Sequence, residues 1–249
     1  IMRPAKRMRV DPQPADPRVV VAWNANSLLS RLTCEKDLTE LRAFVELHTP
    51  DVLCVSEARI KCDAAGSAEP DRSSPAPKEL ERIRRALHEP PLGNYVVHWS
   101  LADGRTAGTA MLIHRRVGAV QVHSSLHSAL ALVRNQPPGS VHHPQGRVQY
   151  ATFESFDLLH TYVPNCGWTA DSKLRRQQWD EEIAAFLEAR CEVRERSPLG
   201  IMVVDVVAAV VFVLVYVLMF VVAVMVHAGR RLSLMCSGHP AAFGVVWRP

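Results

Sequence analysis

Apolar positions along this chain come in two rhythms. Residues 18–22, 51–55, 95–99 and 109–114 are short stretches rich in Val, Ile, Leu and aromatic side chains, each closed by polar residues, which predicts strands. Residues 147–153 and 156–162 read as a hairpin turned near Glu154-Ser155. Between them the period lengthens. Leu38, Leu41, Phe44, Val45 and Leu47 follow helical spacing up to Pro50, so 18–55 reads as one β-α-β unit. A charged amphipathic helix is predicted over 78–88, stopped by Pro90-Pro91, and another over 174–190 with Trp179, Ile183, Phe186 and Leu187 on one face. Residues 62–77 are rich in Ala, Gly, Ser, Pro and Asp, as expected of a surface loop. The 249 residues are enough for one sizeable α/β domain with a full core.

After residue 200 the rhythm is lost. Residues 206–226 are apolar throughout, counting Tyr216, and Asp205 is the one charge between Arg196 and Arg230. By length the run passes for a membrane-spanning helix, with Arg230-Arg231 on one flank. Its valine content also gives it strong β and aggregation propensity. Three readings stand: a transmembrane segment, a shifted or intron-derived reading of the gene, and a buried core helix. Residues 227–249 show no clear period of either kind.

Three polar runs follow strand-like segments: Trp23-Asn24-Ala25-Asn26-Ser27-Leu28, Ser56-Glu57-Ala58-Arg59 and Tyr162-Val163-Pro164-Asn165. Polar groups gathered at the carboxyl ends of strands are how α/β scaffolds build sites. Glu57 is a hard oxygen ligand suited to Mg²⁺, which binds through few carboxylates plus substrate phosphate. Asn24 and Asn26 can orient that carboxylate or ligate the ion. Tyr162 and Asn165 can donate hydrogen bonds to a phosphate oxygen and share its developing charge. Metal, phenol and amides around one phosphate describe phosphodiester hydrolysis. Taken singly, each residue has a plainer reading as a turn residue or a solvated loop carboxylate. Their order and spacing favour the shared site.

Composition narrows the class. A formal net charge of +4 permits a polyanionic partner without demanding one. None of the six cysteines has C-x-x-C spacing, so a zinc site is not expected, and Cys54 in its apolar strand reads as a core residue. A reducing compartment fits this usage. Residues 1–17 are expected to be a flexible tail without a secretory signal, and Pro4-Ala5-Lys6-Arg7-Met8-Arg9-Val10-Asp11 looks like a nuclear localisation signal. The nucleus is the expected location, the membrane its alternative. An opening Ile1 ahead of Met2 fits a fragment of a longer protein.

The polar runs also carry a resemblance. Trp23-Asn24-Ala25-Asn26-Ser27-Leu28 resembles the W-N-x-N-G-L motif of the exonuclease III type apurinic/apyrimidinic (AP) endonucleases. Pro50-Asp51-Val52-Leu53-Cys54-Val55-Ser56-Glu57-Ala58-Arg59 is similar to their P-D-x-h-x-h-Q-E-x-[KR] segment. Gly108-Thr109-Ala110-Met111-Leu112 resembles their G-x-[AG]-h-h strand, and Gly146-Arg147-Val148 with Phe153-Glu154-Ser155-Phe156 their G-R-V…F-E-x-F hairpin. Thr161-Tyr162-Val163-Pro164-Asn165-Cys166-Gly167 resembles Y-x-P-N-x-G, and Arg175-Arg176-Gln177-Gln178-Trp179-Asp180 the R-x-x-W-D helix.

The resemblance covers about 19–198. It implies a four-layer, DNase I-like α/β sandwich, incomplete here, and Mg²⁺-dependent (Mn²⁺ as the alternative ion) cleavage of double-stranded DNA 5′ to abasic sites, with 3′–5′ exonuclease activity as a further expectation. It implies metal-site roles for Asn26 and Glu57, support from Asn24, and contacts of Tyr162 and Asn165 to the scissile phosphate. A monomer is expected. The domain reading is tail 1–17, endonuclease part 18–200, apolar run 201–227 and unassigned tail 228–249.

The departures are specific. Ser27 replaces the usual Gly, Ser56 the usual Gln, and Thr106 stands where Tyr is common. The family continues into a strand ending G-D-x-N. Here Asp205 falls within a residue of that Asp, but Val204 and Val207 replace the Gly and Asn. Ser237-Gly238-His239-Pro240 echoes the family's S-D-H-x-P with Gly for Asp, and its closeness to Asp205 makes it read as coincidence. The chain is therefore expected to be inactive or nearly so, and to fold poorly with one sheet face uncovered. The alternatives are a membrane-anchored or binding-only pseudoenzyme, or another phosphoesterase of the same superfamily.

Overall fold

The computed structural model describes residues 16–61, 77–102, 107–117, 121–126, 146–194, 200–205, 232–236 and 243–247. The run 206–226, Thr106, the basic cluster at 4–11 and the 237–240 sequence lie outside the described residues. Among the described residues, no helix is long and apolar enough to cross a membrane.

Two mixed sheets form. The first has six strands in the order β3-β4-β2-β1-β10-β9. These are β1 (Val20–Asn24), β2 (Val52–Ser56), β3 (Tyr95–Ser100), β4 (Thr109–His114), β9 (Leu232–Cys236) and β10 (Phe243–Trp247). Only β1 and β2 run parallel; the other pairs are antiparallel. The second sheet has the order β5-β6-β7-β8, from β5 (Gln121–His123), β6 (Val148–Thr152), β7 (Phe156–Thr161) and β8 (Gly200–Asp205). Here β7 and β8 are parallel, joined by the long helix α4 (Ala170–Arg194).

Strand alternation sorts the core into three layers of contact. Val20, Ala22, Val52, Cys54, Met111 and Ile113 of the first sheet pack against Ala151, Phe153 and Leu158 of the second. The opposite face of the first sheet, with Val21, Leu53, Val55 and Leu112, meets Leu28, Leu29, Leu32, Leu41, Val45, Ile83 and Ala86. Those come from α1 (Leu28–Thr33), α2 (Glu35–His48) and α3 (Pro77–His88). The outer face of the second sheet, with Val148, Tyr150 and Leu159, meets Trp179 and Phe186 of α4. The order is helix, sheet, sheet, helix. Each fully buried Val or Leu in these layers contributes about 1.5–3 kcal/mol of burial, so the period-2 pattern fixes the register.

Two expectations need correction. The second sheet face is not left bare: β5–β8 pack on the first sheet. And the stretch without a period carries β9 and β10, which extend the first sheet from β1, with Val20 opposite Trp247 and Trp23 opposite Gly244. Hydrogen bonding along an open strand edge, not local periodicity, is what these segments satisfy.

Candidate active site

The carboxyl ends of β1, β2, β7 and β8 meet at one end of the sandwich. β1 and β2 run in register to Asn24 opposite Ser56. The chain then leaves both strands through a knot of backbone bonds. Ala25 N donates to Ser56 O at 3.0 Å, and Ser27 N and Leu28 N both donate to Glu57 O at 3.0 and 3.1 Å. The carbonyl of Glu57 thus satisfies the otherwise unpaired first N–H groups of α1.

This geometry requires unusual backbone. Asn26, Ser27, Glu57 and Arg59 have φ of 44°, 85°, 57° and 52°, and Ala107, whose carbonyl accepts from Arg59 N, has 51°. Left-handed non-glycine residues cost about 1–3 kcal/mol each and cluster where surrounding structure over-determines them. Ser27 compensates in part by capping α1: its Oγ accepts from Ser30 N at 3.2 Å. A φ of 85° is also the physical reason a Gly suits this position.

Glu57 is the centre of the side-chain constellation. It is 8% exposed. Its Oε1 accepts from Asn24 Nδ2 at 2.9 Å and from the Tyr162 hydroxyl at 2.9 Å; its Oε2 accepts from Arg59 at 2.7 Å. Burial pushes the carboxyl up, but the bonds from Asn24, Tyr162 and Arg59 together with the Arg59 charge outweigh it and hold Glu57 below the usual range. Glu57 is therefore an anion near neutral pH. Burial and the bond to Glu57 push the Tyr162 phenol up to about 12, so Tyr162 keeps its proton and acts as a donor. The Tyr162 ring lies under the Arg147 guanidinium at 4.7 Å, and Arg147 NH1 donates to Tyr162 O at 2.9 Å.

The sequence-derived residues separate into groups. Asn24, Glu57 and Tyr162 are in direct contact. Asn24 is fully engaged, since its Oδ1 also accepts from Asn26 N at 2.9 Å, which makes it an orienting residue. Asn26 stands exposed on the turn before α1. Asn165 is exposed on the loop after Tyr162, where its Oδ1 accepts from Gly167 N at 3.4 Å. Asp205 is the last residue of β8 and pairs in register with Thr161, one residue before Tyr162. Gly244 lies opposite Trp23, so β10 begins beside the carboxyl end of β1, and Cys236 at the end of β9 pairs with Phe243 one strand further out.

Glu57 and Asn26 are the hard oxygen donors that can serve a divalent cation here, a donor set suited to an ion that retains waters and takes substrate phosphate. Among the described residues there is no group of three or more His, Cys, Asp or Glu placed to hold a metal. An ion at Glu57 must share or displace the Arg59 contact.

Arg59, Arg147 and His160 have roles that spacing alone does not assign. His160, fully buried, faces Ser56 across the two sheets, with Ser56 Oγ and His160 Nε2 3.1 Å apart. Burial pulls its imidazole down to about 3. Ser56 and His160 thus pin the sheets together directly behind Glu57 and Tyr162. Arg59 has a faint local signal, a cation two residues from a carboxylate; the cross-sheet pairing of His160 has none.

No family model matches the chain. It is 37% identical over 181 residues to a DNA-(apurinic or apyrimidinic site) endonuclease of Arabidopsis thaliana, an alignment covering 69% of this chain and 46% of that protein. A protein of the same name from Plasmodium falciparum is 26% identical over 195 residues, covering 69% of this chain and 30% of that one. The chain thus spans about half or less of the length of these relatives. Among solved structures, AP endonuclease LMAP from Leishmania major superposes with a TM-score of 0.54 at 21% identity, over 82% of this chain and 59% of that one, a likeness of fold. In its ordered motifs and in these sequence relatives, the chain is similar to the exonuclease III type AP endonucleases over the part of their length that it spans.

Proposed function

We propose that this chain is a phosphodiesterase of DNA base excision repair that takes double-stranded DNA and cuts 5′ to abasic sites with Mg²⁺. The observation that carries the reading is the Tyr162–Glu57 hydrogen bond, 2.9 Å long, which joins the carboxyl ends of the two sheets into one site. In this reading Glu57 holds the ion with Asn26, and Asn24 fixes the Glu57 rotamer. Tyr162, protonated, would turn its single O–H from Glu57 to the scissile phosphate, and Asn165 would donate its side-chain amide to the same group. The bound ion supplies charge neutralisation and an activated water. Asp205 is the proposed acid–base group, supported by its place beside Thr161. Turnover is expected to be low, because Val204 and Val207 replace the family's Gly and Asn around Asp205, and groups that act as a unit are not additive.

A second reading, a binding-only pseudoenzyme, is favoured by one observation: Arg59 already pairs with the Glu57 oxygen that a metal would take, at 2.7 Å. Nicking of a duplex carrying a tetrahydrofuran abasic analogue separates the two. The enzyme reading requires Mg²⁺-dependent nicking that EDTA abolishes and Glu57→Gln lowers by orders of magnitude. Tight binding of the same duplex without nicking establishes the pseudoenzyme instead.

A further inference from the structure

We propose that Trp168 is a base-stacking contact, taking the face of an unpaired or unstacked nucleotide of the DNA strand whose phosphate lies at Asn165. The inference rests on the DNA-binding reading above. Trp168 is 98% exposed, three residues after Asn165. The helix that follows buries its own indole: Trp179 is 5% exposed and sits in the core under the second sheet. An isolated surface Leu is ordinary; an indole left wholly in water forgoes one of the largest burial gains any side chain offers.

The exposure is built in. On one side of Trp168, Gly167 turns at φ 56°, its N–H donating to Asn165 Oδ1. A Cβ at Gly167 would come within 2.5 Å of Ser172 Oγ and 2.9 Å of Ser172 Cβ, so the loop is pressed against the first turn of α4. On the other side Thr169 caps that turn, its Oγ1 accepting from Ser172 N at 3.2 Å while Ser172 Oγ donates to Thr169 O at 2.8 Å. Trp168 is held between two locked turns and projects from the rim. Pre-ordering of this kind lowers the entropy cost of a contact.

The chemistry around the indole fits a nucleic acid strand. Lys173 and Arg175 are exposed on the first two turns of α4, where Asp171 is the one exposed acid, while Arg176 is engaged with Asp180 at 2.9 Å. Exposed cations and an exposed aromatic ring are the two parts of single-strand recognition: charge follows the backbone and the ring stacks on a base. A strand opened at an abasic site offers such unstacked bases.

The test compares wild type, Trp168→Ala and Trp168→Phe for binding to a short duplex with one tetrahydrofuran abasic analogue, in EDTA, with tryptophan emission as second readout. The expected result is a loss of roughly tenfold or more in affinity for the Ala variant, most of the affinity kept by the Phe variant, and duplex-dependent quenching present only with Trp168. Because the side chain is exposed, the melting temperature should not move. Wild-type affinity in the Ala variant overturns stacking and leaves the DNA-cleaving reading intact. Failure of wild type to bind any duplex overturns both. Self-association of wild type that Trp168→Ala disperses, without a change in DNA affinity, overturns the proposal in favour of a protein contact.

Discussion

Two buried carboxylates in this molecule have the same companions and opposite settings. Glu57 accepts from a tyrosine and an arginine, Tyr162 and Arg59. Asp157 does too: Tyr150 donates to it, and Arg190 Nε lies 2.8 Å from Asp157 Oδ2 and 2.7 Å from the Tyr150 hydroxyl. Asp157 is wholly buried in a regular strand, and Arg190 reaches it from α4, so this trio fastens the long helix to the second sheet. Burial first, then the bond to Asp157, pushes the Tyr150 phenol far up. The Glu57 trio sits instead at strand ends, on left-handed backbone, with the Arg59 side chain 43% exposed. A carboxylate, a phenol and a guanidinium therefore do not define a site by themselves. Strained backbone, contributions from both sheets and an open side set Glu57 apart.

That contrast can be broken by experiment. Glu57→Gln should reduce abasic-site nicking by about 10³-fold, equivalent to ~4 kcal/mol of transition-state stabilisation, with little change in the urea midpoint. If the midpoint collapses instead, Glu57 is a staple like Asp157. Asp157→Ala should do the reverse, costing about 3–5 kcal/mol in urea unfolding because Arg190 and Tyr150 are left without their acceptor; an unchanged midpoint would show the trio to be dispensable. The paired tyrosines sharpen the comparison. Tyr162→Phe should lower nicking by about 10²-fold, whereas Tyr150→Phe should appear as about 1–3 kcal/mol of lost stability. Equal effects on rate and stability from both would erase the distinction.

A pH dependence concerns the floor of the site. The native His160 imidazole stays neutral down to about pH 3, while the unfolded chain takes up a proton below its ordinary 6.5. Protonation thus favours the unfolded state, and stability falls as pH drops from about 6.5 towards 3, by at most ~1.4 kcal/mol per pH unit from this group. His160→Gln should flatten the acid limb in that window. An identical limb in both proteins would mean that His160 is not buried as described.

Much of the scaffold was legible because its signals are local. Strands β1, β2, β4, β6 and β7 are apolar stretches between polar ends, and the hairpin turns at Glu154-Ser155 as the alternation demands. The helix expected from 174 begins at Ala170 because Thr169 caps it, and the helix expected from 38 begins at Glu35. The six-residue α1 is too short to display a period, though it buries Leu28, Leu29 and Leu32. The three-residue β5 is short and only part-buried, so its pattern is equally faint. Asn24, Glu57 and Tyr162 were legible as ends of strands. The Arg59 grip on Glu57, the Arg147 stack on Tyr162 and the Ser56–His160 bond exist only once the two sheets are packed.

The pairing of β10 with β1 has a consequence for how the molecule is made. β1 ends at Asn24 and its antiparallel partner begins only at Phe243, so β1 leaves the ribosome long before that partner is made. Until then β1 presents one open row of N–H and C=O groups, able to template wrong pairing with another nascent chain. Contacts of such large sequence separation also form late, because closing so long a loop costs entropy before it is rewarded. Synthesis of this protein should therefore depend on shielding that edge by a chaperone until Phe243–Trp247 has been made.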